Sequence, residues 1–178
     1  MANLFTDDSF MWKEYEPMDL EMKLSQNFTL REYLKSQTAS RKNIDNTPTE
    51  EHLDNAVILF NNVAQPVRDH FGPTIITSGY RSPALNEAID GSENSQHCFG
   101  MAVDLEAIGT PTIDVARWID ANLEYDQLIL EFYTRGQINS GWVHVSYVPG
   151  VEGENRNENL TAAVDSDGAV TYMLGLNA

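Results

Sequence analysis

The chain has 178 residues, enough for one domain with a single well-buried core, and its 42% hydrophobic and 21% charged content is ordinary for a globular protein. Its formal net charge of −16 excludes the basic footprint that nucleic acid or an anionic membrane surface would need. The single cysteine, Cys98, excludes an internal disulfide, and the longest apolar run, Ala56-Val57-Ile58-Leu59-Phe60, is far too short to cross a bilayer.

Residues 1–26 are acidic and methionine-rich without a clear period and read as an N-terminal arm, leaving residues 27–178 as one domain with no repeat or linker dividing it. Met1 to Asp8 lacks both a basic residue and a long apolar core, so no secretory signal is expected and synthesis in the cytosol is. Thr29-Leu30-Arg31-Glu32 has the form of a capping box and predicts a short helix. Residues 36–46 are polar and read as loop. Thr47-Pro48-Thr49-Glu50 predicts a stronger helix start, with Thr47 as cap, Pro48 at the first position and Glu50 at the third. From there Leu53, Val57, Phe60, Ala64, Val67 and Phe71 form one apolar stripe of a long core helix, which Pro66 should kink and Gly72-Pro73 should end.

A short buried strand is predicted over 74–77, then a helix opened by Pro83 and closed by Gly91. Thr110-Pro111 should start a helix to about residue 122, with Ile113, Ala116, Trp118 and Ile119 as its inner face. Residues 127–133 and 142–147 look like the strands of a hairpin with a longish loop. A second hairpin, 160–164 with 169–174, turns around Asp165-Ser166-Asp167-Gly168.

The chemistry concentrates between these elements. His97 and Asp104 are seven positions apart in Ser95-Gln96-His97-Cys98-Phe99-Gly100-Met101-Ala102-Val103-Asp104. On one helix they would sit about 10 Å apart along the axis, too far to share an ion whose ligand atoms lie about 2.0–2.2 Å from it. The expected geometry is a turn: His97 at the end of a loop, a bend at Gly100, and a strand bringing Asp104 back. His144, in Trp142-Val143-His144-Val145, is the best third ligand. Two imidazoles and one carboxylate leave a fourth zinc position open for water, which is the catalytic rather than the structural arrangement. Cys98 is not read as a nucleophile, because adjacent side chains on an extended segment point apart. His52 and His70, near the ends of the long helix, read as solvated, and Trp142 is either core or a wall of the cleft.

Four stretches occur in order: Ser78-Gly79-Tyr80-Arg81-Ser82-Pro83, the His97 to Asp104 stretch, Gln127-Leu128-Ile129-Leu130-Glu131, and Trp142-Val143-His144-Val145-Ser146. Together, over residues 28–147, they resemble the M15 zinc peptidases, the D-Ala-D-Ala carboxypeptidase and phage endolysin group that shares its fold with the Hedgehog signalling domain. The likeness is to the short, often phage- or prophage-encoded branch with Trp-Val-His at the third ligand, and the tail hairpin also looks like this group.

The resemblance implies an α+β fold, helices packed on a small, mainly antiparallel sheet with a zinc cleft, and one Zn2+ held by His97, Asp104 and His144. It implies that Arg81 lies near the substrate, to hold a carboxylate or polarise the scissile carbonyl; a guanidinium fork suits that work. Ser95, Gln96 and Trp142 are the candidate substrate-binding residues beside it.

The general base departs from the better-known branches, which place an acid three residues before the third ligand or a histidine two before it; here Gly141 and Trp142 stand there. Strand geometry points to Glu131 instead: if Thr134 pairs with Gly141, Glu131 lies directly opposite His144 on the same face. The expected function is hydrolysis of a peptide bond in the stem or cross-bridge of bacterial peptidoglycan by a monomeric phage or prophage endolysin. Such an enzyme is made in the host cytoplasm and reaches the wall through a holin or within a virion. A carboxypeptidase trimming stem ends and a non-catalytic virion or binding domain that keeps the zinc are the alternatives.

Overall fold

The computed structural model describes residues 18–150 and 154–177. Of the N-terminal arm, residues 1–17 lie outside the described residues; Leu24 is buried in the core and Lys23 bridges to Thr29. The capping box opens α1 (Leu30–Leu34), with the Glu32 carboxylate accepting from the Thr29 N–H and hydroxyl, both at 2.8 Å.

Two expectations for the next stretch need correction. Residues 36–46 are not all loop, because they contain α2 (Gln37–Lys42). Ser36 accepts the Ala39 N–H, and Asn43 closes the helix in the left-handed region at φ 51, so the polar residues are caps at both ends of one short helix. The following helix, α3 (Glu50–Leu59), is capped by Thr49, which accepts the His52 N–H at 3.2 Å, and not by Thr47. Thr47 is instead spent on the preceding turn, donating its N–H and hydroxyl to Asp45 at 2.9 and 2.6 Å.

Pro66 interrupts the long helix as expected. It has no N–H for the carbonyl four residues back, and the chain widens into one π-helical turn (Phe60–Ala64) before α4 (Gln65–Phe71), with the Gln65 N–H on the Phe60 carbonyl. Phe60, Val63, Ala64 and Val67 are fully buried, and Phe60 makes edge contacts with Phe28 and Tyr33 at ring-centroid distances of 5.2 and 5.1 Å.

The strands are β1 (Thr74–Ser78), β2 (Ala102–Ala107), β3 (Gln127–Glu131), β4 (Trp142–Ser146), β5 (Glu158–Val164) and β6 (Val170–Leu174), in one sheet ordered β1-β2-β4-β3-β5-β6. Every pairing is antiparallel except that of β3 with β5. The remaining helices are α5 (Pro83–Ala88) and α6 (Thr112–Asn122). The left-handed residue after α5 is Asp90 at φ 56 rather than Gly91, whose N–H returns to the Asn86 carbonyl.

Alternation along the strands divides the molecule into two faces. Val103, Leu105, Leu128, Leu130, Val143 and Val145 join the core, against which α6 buries Ile113, Val115, Ala116 and Ile119. Each of these large aliphatic side chains contributes about 1.5–3 kcal/mol by leaving water. Trp118, expected on that inner face, sits at its margin and stacks on His70, centroids 4.4 Å apart. The opposite face carries Asp104, His144, Ile129 and Glu131. Among the described residues no helix is long and apolar enough to cross a membrane.

Candidate metal centre and its cleft

Asp104 reaches the site from the middle of β2, which is buried on both sides, and β4 places His144 directly beside it. His97 arrives on a single 3-10 turn (Gln96–Phe99) that ends at Gly100 in the left-handed region, φ 76. A side chain at Gly100 would overlap the His52 carbonyl, so this bend needs glycine both for conformation and for space. The turn expected at this position is the one the chain makes.

The three residues are 2%, 4% and 8% exposed for His97, Asp104 and His144, so water is largely excluded from them. His97 Nε2 lies 3.1 Å from His144 Nδ1 and 3.2 Å from Asp104 Oδ1, and His144 Nδ1 lies 2.9 Å from that same oxygen. Nδ1–H of His97 donates to the Gly79 carbonyl at 2.7 Å, which leaves Nε2 as a lone pair aimed at the cluster. Three potential ligand atoms therefore converge, and a proton or a cation between them relieves the repulsion of their lone pairs. Ligand atoms about 2.0–2.2 Å from one tetrahedral ion would be about 3.3–3.6 Å apart, so small side-chain adjustments fit this trio to such an ion.

Burial disfavours the His97 imidazolium and lowers its pKa, despite the neighbouring carboxylate. Burial alone would push the Asp104 carboxyl up, but the positive charge and hydrogen bonds that a protonated His97 and His144 would offer outweigh it and hold the group well below the usual range, a role a cation at the same point would take over. A metal at this point would require an ionised Asp104 and an unprotonated His97 Nε2, the direction in which both groups are shifted.

Arg81 touches this centre through its carboxylate. Its NH2 donates to Asp104 Oδ2 at 2.8 Å and its Nε to Ser78 Oγ at 3.0 Å. A bulge in β1, where Ile76 pairs with Leu105 but Ser78 with Asp104, aims Ser78 at that position. Arg81 also lines the cleft, so one arm fixes Asp104 while the rest of the guanidinium faces the open space. The loop before α3 steadies its backbone: Asn46 Nδ2 donates to the Tyr80 carbonyl, and its Oδ1 accepts the Ser82 N–H.

Glu131, Ser95, Gln96 and Trp142 line the same cleft as the trio and Arg81, a space of about 620 Å3. The register that was expected to place Glu131 is corrected. Ile129, not Glu131, lies opposite His144, and Glu131 lies opposite Trp142. The strand ends earlier than expected because Phe132 turns to φ 52 and its N–H crosses to the Ala162 carbonyl of β5. The offset is two residues, so Glu131 keeps its face and stands diagonally from His144, about 7–8 Å away between backbones. Burial pushes its carboxyl up and the Asp104 charge adds to this, against smaller opposing effects of His144 and Arg81. Trp142 is a cleft wall; its buried indole N–H makes no ordinary hydrogen bond but lies near enough to Glu131 to favour that carboxylate slightly.

The other candidates separate from the centre. Cys98 is buried and faces a different pocket, with His52 and Phe99. His52 is half-buried rather than solvated, its Nδ1 3.2 Å from the Tyr80 hydroxyl. Sequence reasoning missed the supports: Ser78, the Gly79 carbonyl, and Asp126. Asp126 is 3% exposed and accepts from Gln96 Nε2 at 2.9 Å and from Arg156 Nε and NH2 at 2.8 Å each, tying the tail to the loop that carries His97. The hydrogen-bond Arg156 supplies holds that carboxyl below its usual range. The motif Tyr125-Asp126-Gln127 carried no signal for this role; only the tertiary position of Arg156 reveals it.

Fold and centre define an α+β domain with a buried His-Asp-His site, open to a cleft, that can hold a metal ion. The family model for Peptidase M15 matches residues 26–146, and the chain belongs to that peptidase family. The match spans α1 through β4, and so includes the trio, Arg81 and Glu131, and ends before β5 and β6. No curated protein matches the chain.

Proposed function

We propose that the protein is a zinc metallopeptidase that hydrolyses a peptide bond in the stem or cross-bridge of bacterial peptidoglycan. The observation that carries this reading is the convergence, in one cleft of an M15 chain, of His97 Nε2, Asp104 Oδ1 and His144 Nδ1 with Glu131 and Arg81. His97, Asp104 and His144 would hold one Zn2+ per chain. Bound there, zinc supplies Lewis acidity, lowering the pKa of water and polarising a carbonyl.

The chain's own residues supply the rest. Glu131, its basicity raised by burial, takes a proton from the attacking water and returns it to the leaving amine. Arg81 keeps Asp104 oriented through Oδ2 and offers its remaining N–H groups to a substrate carbonyl or carboxylate. Ser95 and Gln96 form the polar wall, Trp142 an aromatic one, and Asp126 fixes the Gln96 amide so that its oxygen is free to accept a substrate N–H.

Cell-wall hydrolysis by a phage or prophage endolysin is the biology proposed, with a monomer made in the host cytoplasm and admitted to the wall by a holin or carried in a virion. The test is incubation of zinc-loaded protein with purified peptidoglycan and mass spectrometry of the released fragments, with Glu131→Ala alongside. Cut cross-links or stems, absent with the variant, support the proposal. Trimmed D-Ala termini assign a D-Ala-D-Ala carboxypeptidase instead. No products from protein holding one metal per chain, on several wall chemistries, would assign a non-catalytic domain that keeps the site.

A further inference from the structure

The hairpin of β5 and β6 follows the family match, yet it completes the cleft. Parallel pairing sets Leu160 opposite Ile129 and Ala162 opposite Glu131, and β6 in turn sets Tyr172 opposite Ala162. One row across the sheet therefore runs Trp142, Glu131, Ala162, Tyr172. Directly opposed residues share a face, so Glu131 and Tyr172 flank the small Ala162, which lies covered between them at 1% exposure. Tyr172 and Leu160 both line the cleft that holds the trio.

The position of Tyr172 is not explained by folding. It is 59% exposed on an edge strand of which no residue is buried. Nor is it close enough to join the chemistry. Strands lie about 4.8 Å apart, so β6 is about 10 Å across the sheet from β3 and about 14 Å from β4. An extended peptide advances about 3.3 Å per residue, and a chain leaving the reacting centre at His144 on β4 along this wall would meet Tyr172 about four residues away. Ser95, Gln96 and Arg81 make the other wall polar; Ile129, Leu160 and Tyr172 give this one apolar surface beside Gln127 and Glu131.

We propose that Tyr172, with Leu160 beside it, is a substrate-binding residue that packs against an extended peptide about four residues from the cleaved bond. This rests on the peptidase reading and adds to it a preference for substrate length. The test uses the full-length zinc-loaded chain, its Tyr172→Ala and Tyr172→Phe variants, and wall-derived peptides of two and five residues. Tyr172→Ala is expected to lower kcat/KM on the five-residue peptide about fivefold to tenfold, through KM, and to leave the two-residue peptide unchanged, while Tyr172→Phe retains the wild-type values. Calorimetric Kd values for the longer peptide should weaken by the same factor, with thermal melting unmoved. An equal loss at both lengths, or no loss, overturns the inference. Should wild type bind the longer peptide without cutting it, and Tyr172→Ala bind it more weakly, the peptidase reading falls and this one stands. Binding that ignores Tyr172, or no binding at all, overturns it.

Discussion

Replacing Glu131 by Gln keeps the shape of the side chain and removes only its charge and its capacity to accept a proton. Glu131 is not among the atoms that converge on the metal position, so zinc content should stay at one per chain. Loss of a positioned general base costs about 10²–10⁴ in rate, about 2.7–5.4 kcal/mol in the barrier. The same change should stabilise the metal-free protein, for a reason visible in the site. Burial, and then the Asp104 charge, raise the Glu131 pKa above the unfolded value of about 4.3. Below that pH both states hold the proton and the residue is neutral in its effect. As pH rises through the folded value, the native state surrenders a proton it had held more tightly than the unfolded chain, and stability falls. Glutamine escapes this loss. Metal-free Glu131→Gln should therefore melt higher than metal-free wild type at pH 7–8 and level with it near pH 4, while losing peptidoglycan hydrolysis. Calorimetric melting at the two pH values, elemental analysis for zinc and fragment mass spectrometry read the three quantities. A variant that melts lower at pH 8, or that hydrolyses normally, refutes the placement of Glu131 as a buried base.

Arg81→Lys cannot reproduce the paired contacts to Asp104 and Ser78, and zinc affinity measured by chelator competition should fall about 10–100-fold with the fold intact. Asp126→Asn should flatten acid unfolding: the depressed carboxyl of Asp126 contributes stability above its unfolded pKa of about 3.9 that is lost as pH falls through the folded value, and asparagine has no such dependence. Gly100→Ala should weaken zinc binding and lower the melting temperature while far-UV circular dichroism keeps its helical signal. A left-handed alanine costs about 1–2 kcal/mol, and its methyl must displace the His52 carbonyl or the turn that carries His97.

The pairing of His97 with Asp104 could be read from the sequence because its constraint is local, whereas His144, 40 positions from Asp104, rests chiefly on the family resemblance. Seven residues with a glycine at the bend can bring His97 and Asp104 together only through a turn into a strand, and alternation then decides which face Asp104 takes. Helix α6 and the Pro66 interruption were likewise written in apolar period and proline chemistry. The errors at α2 and at the start of α3 share one cause: serine, threonine and asparagine serve turns and caps alike, and the choice between them is made by neighbours such as Asp45.

The register of β3 and β4 shows how far such reasoning reaches. Pairing Thr134 with Gly141 would put Glu131 opposite His144, whereas Phe132 leaves the strand to meet Ala162 and shifts the pairing by two. Because the pleat repeats every two residues, the shift moves Glu131 along the cleft without turning it away, and the candidate base survives an error that an odd shift would have made fatal. What moved it is β5, a parallel partner that returns only after the long connection from β4 and leaves no local period in the sequence. That same strand delivers Leu160, and through β6 Tyr172, to the cleft, while Arg156 ahead of it braces Asp126 and Gln96. His97 and Asp104 are brought together by short-range pattern, and His144 and the walls that would choose a substrate by long-range pairing. Substitutions in the tail should therefore alter which peptides are accepted before they alter whether a metal is held.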